Sequence, residues 1–261
     1  TFFIVRELRD RQPFVDLRVF ASRSFAAGNV IGIVSGFGLY GLNLVLPLFF
    51  QNVLHFDAWQ TGVALLPGAI ATALSMPIAS QLSSRVDGRV LIAFGLLIFA
   101  LSTWWMGGLS QDSGYWDVFW PRAVQGFALG FLFVPLSTAT LSEIAREKMA
   151  GATGIYTLVR QLGGSLGIAI LQLLQTRYQD NAYATLAAGV TPSNPADQHY
   201  INDLHGSAMQ LYSMVMTNAT VISYDIVLRL CAVVFVLSVP LVLLLRWNRA
   251  PGGPSAATVA E

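Results

Sequence analysis

Residues Pro121–Pro135, PRAVQGFALGFLFVP, place a permanently charged guanidinium inside a run otherwise apolar enough to cross a bilayer. Moving an ionisable side chain into hydrocarbon costs from about 2.5 kcal/mol upward, so Arg122 needs a reason to be there. Gln125 follows it at i+3, and Gly126 and Gly130 are spaced i, i+4. On a helix these four residues make one polar, small-residue face, while Phe127, Leu129, Phe131, Leu132 and Phe133 cover the rest. Such a face must meet protein or water, not lipid. Two readings of Arg122 stand at this level: its stem snorkels a charged head to the nearer interface, or the guanidinium belongs to a site inside the bundle.

The composition gives this run its setting. Hydrophobic residues make up 54% and charged residues 11% of the chain, against about 45–50% and about 25% in soluble proteins. The fold class read from this is an all-α membrane protein. The single Cys231 lies in an apolar stretch, and His199 and His205 have no ligand-like spacing to carboxylates, so neither a metal nor a cofactor is expected. Metalloprotease and nucleophile-elbow motifs and paired intramembrane acids are missing from the sequence, which argues against an enzyme. No nucleic-acid partner is expected.

Outward from the opening stretch, apolar runs of spanning length recur. They predict spans at 26–50, 61–82, 90–109, 116–143, 153–174 and 226–247. In the first, Asn29, Gly32, Gly36, Tyr40, Asn43 and Pro47 recur at steps of three or four and form one stripe. Asn29, Tyr40 and Asn43 are the cavity-lining candidates on it, and close packing through the glycines is the alternative. Pro67 and Pro77 lie in the second span, where neighbours in a bundle can satisfy freed carbonyls. The fifth span carries VRQLGGSLG: Arg160 and Gln161, then Gly163, Gly164 and Gly167, glycines that admit another backbone. Arg160 reads equally as a site residue and as a snorkelling one.

Residues 1–25 read as the end of a preceding span, TFFIV, followed by a basic cytoplasmic or interfacial linker, so further spans are expected upstream. From 175 to 225 the sequence predicts a long external loop and then an interfacial or outward helix. No turn separates that helix from the sixth span, because Asp225 and Arg229 form an i, i+4 pair. Residues 248–261 read as a disordered cytoplasmic tail.

The basic residues orient these spans. Arg6, Arg9, Arg11, Arg18, Arg23, Arg85, Arg89, Arg146, Lys148, Arg246 and Arg249 fall on one side, and Arg177 alone on the other. The positive-inside rule makes the first side cytoplasmic, with both termini there.

The motif R-x-x-Q-G-x-x-x-G at Arg122, Gln125, Gly126 and Gly130 resembles the start of the fourth helix in a six-helix half of the major facilitator superfamily. The link SSRVDGR resembles that superfamily's loop between second and third helices through Arg85, Gly88 and Arg89, with an ordinary positive turn as the alternative. The lead-in ELRDRQPFVDLRVFASRSF, the VRQLGGSLGIAI run and the long loop before the last helix are similar to the fourteen-span drug/proton antiporters of the EmrB/QacA type. The resemblance implies a C-terminal half of a secondary active transporter in the bacterial inner membrane. It implies export of drugs or other amphipathic small molecules in exchange for protons, a missing N-terminal half as partner, and an adaptor protein on the periplasmic side. No carboxylate lies deep in a full span, so the resemblance places the coupling acid in the missing half or implies a different coupling. A non-transporting membrane scaffold or a remnant half-transporter is the alternative function.

Overall fold

The computed structural model describes residues 22–189 and 208–245. The basic linker, the middle of the long loop with His199 and His205, the last residues of the sixth span and the tail lie outside the described residues. Among the described residues six helices are long and apolar enough to cross a membrane: α1 (Arg23–Asn52), α2 (Ala58–Ser83), α3 (Gly88–Gly107), α4 (Tyr115–Leu141), α5 (Met149–Gly189) and α6 (Ala208–Ser238). Short 3-10 turns occupy Arg146–Lys148 and Val239–Leu244.

Local chemistry sets most helix starts. The Ser22 hydroxyl accepts from the Phe25 amide at 3.3 Å and caps α1. Asp57 and Gln60 form a reciprocal capping box on α2, with the Gln60 amide donating to Asp57 Oδ1 at 2.6 Å and the Asp57 amide to Gln60 Oε1 at 3.0 Å. This box places the start of α2 at Ala58, three residues before the apolar run begins. Asp87 caps α3 by accepting from the Arg89 amide at 2.9 Å. The link between α1 and α2 reverses through His55, whose φ of 55° lies in the left-handed region.

The expected loop after residue 174 requires correction. Helix α5 continues unbroken to Gly189. At 1.5 Å per residue its 41 residues extend roughly 60 Å, beyond the ~40–45 Å of a whole bilayer. The physical reason is twofold. The segment 175–188, QTRYQDNAYATLAA, is polar yet holds no proline or glycine and is rich in good helix formers. It also has a partner, since residues 208–224 form the first half of α6, continuous with the sixth span as expected from the missing turn. Gln179 donates to the Thr220 hydroxyl at 2.9 Å, and the Tyr183 and Tyr212 rings meet edge to face at 5.9 Å. Two helices therefore leave the bundle side by side. The Asp225–Arg229 pair forms within α6, with Nε 2.5 Å from Oδ1, and Arg229 also lies over the Trp104 ring at 5.2 Å. Near its other end α6 tightens to 3-10 geometry at Pro240, which cannot donate to the α ladder.

The helices pack as α1 on α5, α2 on α4, α4 on α3, and α6 on both α3 and α5, with α1 crossing α4. Their common core is aromatic and aliphatic: Phe99 and Phe235 stack at 4.4 Å, and Phe49 meets the edge of Tyr224 at 5.1 Å. Helices α3 and α4 are the most enclosed, whereas α2 and α5 show long apolar faces, including Leu66, Ile70, Leu158, Leu162 and Leu166, to the outside of the bundle.

Neighbouring helices approach at backbone distance through glycine. A Cβ on Gly126 of α4 would collide with the carbonyl of Gly68 on α2, and Cβ atoms on Gly163 and Gly167 of α5 would run into the α1 backbone at Ile33 and Phe37. At the first of these meetings Thr72 Oγ1 lies 2.8 Å from both the Gly68 and Gly126 carbonyl oxygens, tying α2 to α4. This α2–α4 junction forms one wall of the site.

Candidate functional site: a guanidinium cluster on a cavity

Arg122 is eight residues into α4, and its stem rises beside Gly68, the only residue type that leaves room for it: a Cβ there would sit 2.9 Å from Nε. The guanidinium does not turn back toward the end of the helix. Nη1 donates to Oε1 of Gln125, one turn deeper, and Nη2 donates to Asn43 Oδ1 of α1 at 3.3 Å. Gln125, 1% exposed, in turn donates through Nε2 to Thr103 Oγ1 of α3 at 3.2 Å. The Thr103 hydroxyl donates to the Phe99 carbonyl at 2.7 Å and so ends the chain. One network thus joins three helices, and Arg122 Nε is buried with no hydrogen-bond partner. Among the described residues no carboxylate lies within ion-pair distance of Arg122.

This cluster opens on a cavity of about 420 Å³ between α1, α2 and α4. Arg122, Asn43 and Thr72 supply its polar groups, and Leu39, Met76, Leu129 and Phe133 are among its apolar ones. The volume falls within the ~300–1,000 Å³ of small-molecule sites, and so does the character: mostly apolar walls with a few convergent polar groups. A group with hydrogen-bond acceptors entering it would meet the guanidinium and the Asn43 amide first.

Of the stripe expected along α1, the structure brings only Asn43 to the cavity. Gly32 and Gly36 face α5, where added Cβ atoms would meet the Tyr156 ring at 3.1 Å and the Arg160 backbone, and Tyr40 packs against Gly164. Asn29 is buried nearer the start of α1 and donates to the Phe25 carbonyl of its own helix at 2.8 Å. The cause is simple: α5 lies so close along α1 that most of the small-residue face is used in helix packing, the other reading of this stripe. Gly126 lines the cavity, while Gly130 lets α4 pass Ser75 and Met76 of α2.

Arg160 of α5 places its guanidinium over the Phe133 ring at 5.2 Å and the Tyr156 ring at 5.9 Å. Phe133 is also a cavity wall, so Arg160 stands behind that wall. Gln161 is exposed. Arg85, Gly88 and Arg89 sit at the far end of α3, with Arg85 exposed and Gly88 buried. Fourteen residues of helix separate Arg89 from Thr103, roughly 21 Å, so this loop is a separate feature. Two residues escape the sequence reading. Thr103 and Thr72 look like ordinary hydroxyls in apolar spans; the adjacent polar pair Ser102 and Thr103 is the one available signal.

Residues 4–168 match the family model for the Major Facilitator Superfamily. The chain is similar to the multidrug export protein EmrB of Escherichia coli, strain K12, at 32% identity over 209 residues, covering 80% of this chain and 41% of that protein. It is similar to the fatty acid resistance protein FarB of Neisseria gonorrhoeae at 30% identity over 212 residues, 81% of this chain and 40% of that one. The probable multidrug resistance protein EmrY of Escherichia coli matches at 26% over 249 residues, 92% and 48% of the two chains. The chain thus spans about two-fifths to one-half of the length of these relatives.

Proposed function

The chain belongs to the Major Facilitator Superfamily, and from that premise we propose that it is the C-terminal half of a proton-coupled exporter of amphipathic small molecules. The observation that carries this reading is the Arg122–Gln125–Asn43 cluster opening on a cavity walled by apolar side chains. Transporters built from repeats hold substrate between two halves near the midplane, so one half supplies one wall of the site. The open side of this cavity and the apolar outer faces of α2 and α5 are the surfaces such a complementary half would cover. The names of its relatives, the multidrug export protein EmrB and the fatty acid resistance protein FarB, agree with an amphipathic cargo. A scaffold would have no use for a guanidinium turned into the bundle beside an apolar-walled cavity. The test uses everted vesicles containing the full-length protein. An amphipathic dye should accumulate while the interior is acid and stop when nigericin collapses the pH gradient; accumulation no greater than in vesicles without the protein would return the chain to the scaffold reading.

The proposed orientation places the start of α1, the α2–α3 link and the α4–α5 link in the cytoplasm of a bacterial inner-membrane protein. Arg23, Arg85, Arg89, Arg146 and Lys148 share that end, while Trp104, Trp105, Trp116 and Trp120 form an exposed aromatic belt near the other. The α5–α6 extension then projects outside, where a periplasmic adaptor would meet it. In a Cys231→Ser background, an impermeant thiol reagent added to intact cells is expected to label a cysteine at the exposed Asp112 and not one at the exposed Ser84. Labelling at Ser84 would invert the topology.

A further inference from the structure

We propose that the cavity selects its cargo by charge sign and takes amphipathic organic anions, with Arg122 as the specificity-determining residue. The inference rests on the transport reading above and adds the chemical class of the substrate. A guanidinium has five N–H donors, and Arg122 spends two hydrogen bonds on neutral amide oxygens of Gln125 and Asn43. Neither partner offsets its charge, and Nε beside Gly68 has no partner. The second cation near the cavity, Arg160 behind Phe133, also has no carboxylate within ion-pair distance among the described residues. The cavity is therefore lined and backed by two positive charges with low-dielectric walls between them, a setting that strengthens attraction for an anion and opposes a cation.

The shape adds the second half of the requirement. Arg122 and Asn43 stand together in the lining, and Leu39, Met76, Leu129 and Phe133 supply apolar surface within the same cavity. A carboxylate accepted by the guanidinium fork leaves its carbon chain among those side chains. A small inorganic anion would satisfy only the first requirement, and an ammonium amphiphile only the second.

Binding of dodecanoate and of dodecyltrimethylammonium to the full-length protein, held in phosphatidylcholine nanodiscs so that no anionic lipid headgroup competes, tests the proposal. The wild type is expected to bind dodecanoate roughly tenfold to a hundredfold more tightly than the ammonium, the range of one hydrogen-bonded charge pair. Arg122→Gln should abolish that preference. Asn43→Asp keeps the arginine and places a carboxylate where Nη2 now meets an amide oxygen at 3.3 Å, so it too should erase the preference in a folded protein. Equal binding of the two probes by the wild type, or an undiminished preference in Asn43→Asp, overturns anion selection. Transport of the dye described above then decides separately whether the export reading stands.

Discussion

Arg122→Lys, in the full-length protein, is expected to reach the membrane at the wild-type level and to lose roughly tenfold or more in proton-driven export, because a lysine cannot reproduce a guanidinium fork. The arginine bonds Gln125 within α4 and Asn43 on α1 from two different nitrogens. An ammonium is one compact donor centre on a flexible stem, and the same point cannot hold both amides in place. The charge remains, so insertion and the preference for anionic probes should survive in part; what fails is the geometry that links α1 to α4 across the cavity. Gln125→Ala should be milder, a few-fold, since it removes the contact to Thr103 while leaving the guanidinium beside Asn43. Export assays normalised to membrane-inserted protein would show the difference. Wild-type export by Arg122→Lys would mean that the side chain serves only as a charged tip, the snorkelling reading, despite its orientation.

Gly126→Val should be the most damaging single substitution for assembly. Its Cβ would collide with the Gly68 carbonyl, which is backbone and cannot swing aside as a side chain does. Helix α2 must then move off α4. The Thr72 contact to the Gly126 carbonyl at 2.8 Å would be lost with it. Overpacking of this kind costs about 1–3 kcal/mol even against side chains, and more against backbone. Gly154 of α5 is the matched control, because a Cβ there meets nothing within 4 Å. Gly154→Ala should be neutral or slightly stabilising, since alanine is favoured over glycine in a helix by about 1 kcal/mol. Thermal unfolding of the detergent-solubilised protein, followed by size-exclusion chromatography, reads both. An unchanged melting temperature for Gly126→Val would show that α2 is not held at backbone distance.

Arg122 with Gln125 was legible as a candidate because a charge in an apolar run is conspicuous at any level of description. Asn43 was legible as a candidate, although Tyr40 and Asn29 looked the same on the stripe. Periodicity reports which residues share a helix face. It does not report which neighbour that face meets, and here α5 takes most of it through Gly163, Gly164 and Gly167. Thr103 was not singled out, since one hydroxyl in a span bonding back to its own helix, as it does to the Phe99 carbonyl, is commonplace. Only the position of α3 beside α4 makes it the end of the Arg122 network.

The sequence by itself determined the membrane class, the number of spans and the helix-internal features, including the Asp225–Arg229 pair, because each depends on residues near one another along the chain. Hydrophobic length and i, i+4 spacing need no knowledge of neighbours. Tertiary structure decided three things: that α5 runs on past residue 174 beside the start of α6, that the stripe on α1 is largely packing surface, and that Arg122 points inward to Asn43 rather than outward to an interface. In each case the deciding partner lies on another helix, 41 residues away for Gln179 and Thr220 and 79 away for Arg122 and Asn43. A polar segment stays helical when a second helix satisfies it, and a buried cation turns toward whatever acceptor the bundle brings within reach.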